Sequence, residues 1–162
     1  MSVPKRNSRP EAIQSNRRTF HVVSSTWGKR ALLQSERMAT LLIEVMFHYR
    51  NEGAYRLHAF VVMRDHFHAL LTVEGNSTIE MAVQKIKGGF SYRARSELGL
   101  KGEIWQRGFT DKRIWDAQQF SATRAYIHNI PVQSRMSMTA EEYPFSSAHP
   151  KYRNPQGLKP ES

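Results

Sequence analysis

The sequence predicts an α+β fold, and two observations carry that reading. Hydrophobic spacing switches between the two-residue period of strands and the 3.6-residue period of helices, in the order β-α-β-β-α-β-α. The two central extended runs are separated only by Arg64-Asp65, which leaves room for a tight turn and nothing longer.

Thr19–Trp27 (TFHVVSSTW) is β-branched and aromatic, the composition of a strand. Met38, Leu41, Leu42, Val45, Met46 and Tyr49 then recur on one face of a helix that starts near Ser35 and ends before Gly53. Tyr55–Met63 (YRLHAFVVM) is apolar on both faces, as a buried strand must be, and His66–Val73 (HFHALLTV) closes a hairpin with it. Ser77 and Glu80 have the spacing of a capping box. Ile79, Val83, Ile86 and Phe90 mark the helix behind it, which Gly88-Gly89 weakens by roughly 1 kcal/mol per glycine relative to alanine. Ile104–Ile114 (IWQRGFTDKRI) reads as a fourth strand. Asp116 with Gln119 caps a third helix, whose inward stripe is Phe120, Thr123, Ile127 and Ile130, with Pro131 near its end. A βαββαβ core of this order is the ferredoxin-like arrangement, an antiparallel sheet with helices packed on it, here followed by an additional C-terminal helix. That fold hosts many functions, so the function has to be argued from side chains.

At 162 residues the chain is one domain with short tails. Residues 1–18 lack periodicity and read as a disordered basic arm, 19–142 as the folded domain, and 143–162, with four prolines, as an irregular C-terminal tail. Cysteine is absent, which excludes disulfides, thiolate zinc sites and a cysteine nucleophile. No apolar run reaches the roughly 18 residues of a membrane span, and no apolar stretch follows the basic N-terminus as in a secretory signal. A cytoplasmic, nucleoid-associated location is the expectation.

The net charge of +10 is unevenly placed. Residues 1–18 carry +4, 19–84 balance at zero, 85–113 carry +5 and 114–162 carry +1. An arm and one central block of positive charge suit a phosphate backbone, although a basic solvated surface has the same composition.

Three features could carry chemistry. His66 and His68, two apart on a strand, point to one face, so their imidazoles can meet one divalent ion. Two polar side chains on an open sheet face have the same spacing. Tyr126 lies about 100° around its helix from Ile127, at the flank of the apolar stripe, where a nucleophile or an ordinary boundary tyrosine would sit. In residues 85–109, Lys85, Lys87, Arg93, Arg95 and Arg107 offer phosphate contacts and Trp105 a ring for base stacking. A solvated helix face with core aromatics fits that block as well.

Taken together, VVMRDHFHALL (61–71), IKGGFSYRAR (86–95), WQRGF (105–109), YIHNIPV (126–132) and EEYPFSS (141–147) resemble the REP-associated tyrosine transposases, a branch of the single-tyrosine HUH transposases. The resemblance spans residues 19–147. It implies a divalent metal, Mg or Mn, on His66 and His68. It also implies a single-stranded or hairpin DNA partner and a strand transfer in which Tyr126 attacks the scissile phosphate and leaves a 5′-phosphotyrosine. One position departs from the pattern. The family carries Asn four residues after the tyrosine, where this chain has Ile130, which cannot ligate a metal; Asn129, one place earlier, is the substitute ligand to consider. The alternatives are a non-catalytic, domesticated hairpin-binding protein on the same scaffold, or an RNA-binding ferredoxin-like domain without metal.

Overall fold

A computed structural model describes residues 16–152. Its elements are β1 (Arg17–Ser25), α1 (Glu36–Asn51), β2 (Arg56–Val62), β3 (His66–Glu74), α2 (Ile79–Leu98), β4 (Thr110–Ile114) and α3 (Ala117–Gln133), with short 3-10 turns between and after them. The sheet order is β2-β3-β1-β4 and every neighbouring pair is antiparallel. This is the ferredoxin-like βαββαβ arrangement with a seventh element, α3.

Strand alternation divides the interior into two layers. Phe67, Ala69, Leu71 and Val73 of β3 point to one face, where α1 and α2 cover them with Leu42, Met46, Val83, Ile86 and Phe90. Phe60, Phe67 and Phe90 are fully buried there, and each such side chain contributes about 1.5–3 kcal/mol. The helix pair packs closely because Gly89 has no side chain. A Cβ at that position would lie 2.9 Å from both Val45 Cγ1 and Tyr49 Cε2. On the opposite face a smaller cluster of Ala59, Val61, Met63, Leu70 and Ile114 is covered by Ile127 and Ile130 of α3 and by Tyr143. The sheet is therefore closed on one side by two helices and only partly closed on the other.

The helix boundaries follow the expected caps closely. Ser35 accepts from the Met38 amide at the start of α1, and Asp116 from the Gln119 amide at the start of α3. At α2 the cap is Thr78, which accepts from Met81; the Ser77 amide is instead used by the turn, donating to Glu74. The fourth strand is shorter than expected. Residues 104–106 are held to the end of β1 by Gln106 N–H to Ser25 C=O and by Trp27 N–H to Ile104 C=O, and Gly108, at φ 78°, bends the chain before β4 begins at Thr110.

Arg17 and Arg18, assigned to the basic arm by composition, open β1 and pair with Glu74 and Val73. The rest of that arm, through residue 15, and residues 153–162 of the tail lie outside the described residues. The described part of the tail is irregular yet packed. The Tyr143 hydroxyl donates to Val62 C=O, Val62 N–H donates to Phe145 C=O, Ser147 N–H donates to Phe60 C=O, and Tyr152 is buried against Phe47 and Phe60. These bonds cover the outer edge of β2, which would otherwise expose a row of unpaired backbone groups.

Candidate active site

The candidate residues lie on the partly closed face of the sheet. Even-numbered residues of β3 and odd-numbered residues of β1 share it, because Val23 pairs with His68 and Ser25 with His66. His66 and His68 therefore stand side by side, ring centroids 5.1 Å apart. The α3 helix crosses above β2 and β3, anchored by Ile127 and Ile130, and this turns Tyr126 toward the histidines. The Tyr126 ring meets His68 edge-on at 6.1 Å between centroids while remaining 48% exposed. The sheet and α3 thus bring together the three residues singled out from spacing.

Sequence reasoning did not single out His21. From β1 it stacks on His68, centroids 5.2 Å and planes 24° apart, with His21 Nε2 2.9 Å from His68 Nδ1. Its ring also meets Tyr126 at 6.0 Å. The signal was present in the two-residue period of TFHVVSSTW, but the β1–β3 register that makes it meaningful is not written in that segment. Lys112 is a second such residue, opposite His21 in the β1–β4 ladder.

Two of these rings, His68 and His21, are held toward the neutral form. Burial is the main reason that His68 is pulled down to about 3, with the neighbouring His21 and His66 rings adding to it. Burial, followed by the Lys112 ammonium, lowers His21 as well. A neutral imidazole is the form that ligates a metal. His66 Nδ1 bonds Asp65 Oδ1 at 2.7 Å, and His68 Nδ1 faces His21, so these contacts leave Nε2 over on each ring. Orienting hydrogen bonds on the second ring nitrogen are the usual support of metal-ligating histidines. The donor set thus fits one divalent cation through two imidazoles. Among the described residues no group of three His, Cys, Asp or Glu side chains is arranged to hold a metal ion.

Ile130 is buried in the apolar cluster beneath α3, 6% exposed, and Asn129 faces solvent. Neither makes a polar contact to the histidine pair, and the position the resemblance marks for a ligand is used here for packing.

The basic block lies elsewhere. Lys85, Lys87, Arg93 and Arg95 belong to α2, on the other side of the sheet from Tyr126. Lys87 Nζ donates to the carbonyls of Gln106 and Gly108, Arg95 to Gly102 C=O, and Arg93 pairs with Glu97 and Glu44. Lys85 lies over the Tyr49 ring. Trp105 is not an open stacking surface: its ring wedges against Phe67 and Phe90 and its indole N–H donates to Lys87 C=O. Arg107 is exposed on the loop before β4. At the far end of α3, an open cleft between Arg17, Thr19, Arg113, Trp115 and Phe120 carries an exposed Trp115 with the Arg113 guanidinium 4.2 Å above its ring.

A ferredoxin-like sheet thus carries a histidine pair and a helix-borne tyrosine on one face. The sequence profile described as "Transposase IS200 like" matches residues 14–130, and the chain belongs to that family. Among solved structures, that of a REP-associated tyrosine transposase bound to a REP hairpin shares the fold, with TM-score 0.70, 24% identity, 88% of this chain covered and 82% of that one. A candidate transposase from Deinococcus radiodurans matches with TM-score 0.52 and 20% identity, over 68% of this chain and 88% of that one. No curated protein matches the chain. No helix among the described residues is long and apolar enough to cross a membrane.

Proposed function

We propose that the chain is a metal-dependent single-stranded DNA endonuclease and strand transferase acting on hairpin-forming repeats. The observation that supports this most directly is the meeting of Tyr126 with His68 and His66 on one half-open sheet face. A cleaved phosphodiester needs a nucleophile, charge stabilisation and room for the strand, and this face offers all three. His66 and His68 would hold Mg or Mn through Nε2. Bound there, the ion supplies positive charge against the oxygens of the scissile phosphate.

Tyr126 forms the new bond from its phenolic oxygen to phosphorus. The bond to the 3′ oxygen of the neighbouring nucleotide breaks, the phenolic proton is lost, and the departing oxygen takes up a proton to become a free 3′-OH. The 5′-phosphotyrosine conserves the phosphodiester energy for rejoining to another 3′-OH. The 48% exposure of Tyr126 lets a strand reach it without rearrangement of the sheet. His68, buried below, packs against its ring. Positive charge for the strand comes from Lys112 beside the site and from exposed Arg107, with Trp115 and Arg113 as a stacking surface at the end of α3.

The burial of Ile130 favours a second reading, a hairpin-binding protein without cleavage, because the position expected to supply a ligand supplies packing. Incubating the protein with hairpin-forming single-stranded DNA and Mn or Mg, then running a denaturing gel, separates the two. A protein-linked DNA band and a shorter free product support the transferase. Tight hairpin binding with neither species supports the binder.

A further inference from the structure

We propose that His21 is a positioning residue of the site: it accepts the Nδ1–H of His68 and so sets His68 in the tautomer whose Nε2 carries a lone pair. The inference rests on the reading of His66 and His68 as metal ligands.

Two ring nitrogens 2.9 Å apart share one proton, so one ring donates and the other accepts. If His21 donated from Nε2, neutral His68 would carry its own proton on Nε2, and that nitrogen could not ligate. If His68 donates from Nδ1, Nε2 is free to ligate. His66 shows the same pattern by a different partner. Its Nδ1 faces the Asp65 carboxylate, which can only accept, so His66 carries a proton on Nδ1, and the neutral ring presents a bare Nε2. An accepting His21 makes the two rings equivalent, each oriented through Nδ1 and each presenting Nε2.

The placement follows from the fold. His21 pairs with Leu70 and His68 with Val23, so the two histidines are diagonal neighbours on one face of the central strand pair. Their rings are nearly parallel, which holds the nitrogens in register. His21 also abuts Tyr126, so a single side chain from β1 touches both a proposed ligand and the proposed nucleophile. Asp65 and His21 thereby play matching parts, and the asymmetry is chemical: a carboxylate can only accept, whereas an imidazole accepts only in one tautomer.

Two measurements on the full-length protein test this. A long-range proton–nitrogen NMR spectrum of metal-free wild type reads the tautomers directly. His68 is expected as Nδ1–H with Nε2 unprotonated, and an Nε2–H tautomer overturns the proposal. Mn(II) binding, followed by electron paramagnetic resonance, is the second. His21→Ala is expected to weaken Mn(II) affinity by about 10–100-fold, the range seen when the orienting partner of a metal-bound histidine is lost. His21→Gln, whose side-chain oxygen can accept, is expected to bind Mn(II) more tightly than His21→Ala. Equal Mn(II) affinity for wild type and His21→Ala overturns the role of His21 and leaves the metal site standing. A wild type that binds no Mn(II) while showing the expected tautomer sinks the metal reading itself, and this proposal with it.

Discussion

Tyr126 and His68 come from a helix and a strand that are far apart in the chain, yet their rings meet edge-on with centroids 6.1 Å apart and planes at 72°. The contact exists because Ile127 and Ile130 fasten α3 to the sheet, while β1–β3 pairing brings His21 against His68 from the other side. Packing, rather than any local motif, sets the distance between the proposed nucleophile and the proposed ligands.

The two histidines should differ when removed. Strand residues on an open face carry little packing, and on that ground both would be replaceable without harm to the fold. His68, however, is only 7% exposed and stacked between neighbours, whereas the His66 side chain is 28% exposed. His68→Ala is expected to cost about 1–3 kcal/mol, the range for losing a buried, hydrogen-bonded side chain. His66→Ala is expected to cost no more than ~1 kcal/mol. Both should abolish cleavage. Urea denaturation and a cleavage assay on the same preparations check the pair; wild-type cleavage by either variant would remove it from the site.

Salt dependence distinguishes cations that face DNA from those used internally. Lys112 is exposed beside His21, so Lys112→Ala should lower the slope of log K against log salt by about 0.7, the contribution of one single-strand phosphate. Lys87→Ala should leave the slope unchanged and instead loosen the 104–108 loop whose carbonyls it binds. Hairpin titrations at several salt concentrations give both slopes. An effect of Lys87→Ala as large as that of Lys112→Ala would return the DNA path to α2.

The adjacent glycines of α2 should respond in opposite directions. A Cβ at Gly88 meets nothing within 4 Å, so Gly88→Ala should stabilise by up to about 1 kcal/mol through helix propensity. At Gly89 the same methyl collides with Val45 and Tyr49, and overpacking of about 1–3 kcal/mol should outweigh that gain. Thermal melts of the two variants test the sign of each change.

Ile130→Asn restores the residue type expected four positions after the tyrosine, but it places an amide among Val61, Met63, Leu70 and Ile127. Without a partner there, the amide should cost about 1–3 kcal/mol. A denaturation midpoint equal to that of wild type would show that the side chain reaches water or a polar partner instead.

Much of this was legible in the sequence, and the reasons are physical. Ser35 and Asp116 announce their helices because capping is local, and the stripe from Ile79 to Phe90 does so because helical burial is periodic. His66 and His68 were legible because two-residue spacing guarantees a shared face. His21 and Lys112 were not, since their proximity to His68 depends on which strands pair and in what register. Residues 104–109 have strand composition, but Trp105 is drawn into the core and Gly108 turns the chain, and both effects are tertiary. The prolines after Tyr143 correctly mark irregular backbone and say nothing of how Tyr143, Ser147 and Tyr152 pack against β2. Likewise, net charge marks α2 as basic without revealing that Arg93 is spent on Glu44 and Glu97.

The most direct test of the account is the identity of the residue joined to DNA. Wild type and Tyr126→Phe are incubated with hairpin-forming single-stranded DNA and Mn or Mg, digested, and the DNA-linked peptide is identified by mass spectrometry. Tyr126→Phe keeps the ring that touches His21 and His68, so stability should change by no more than ~1 kcal/mol and hairpin binding should persist. A wild-type adduct on Tyr126 alone, and none in the variant, is the expected result. An adduct on Tyr49, Tyr55, Tyr92, Tyr143 or Tyr152, an adduct still formed by Tyr126→Phe, or a wild type that binds the hairpin and forms no adduct would contradict it.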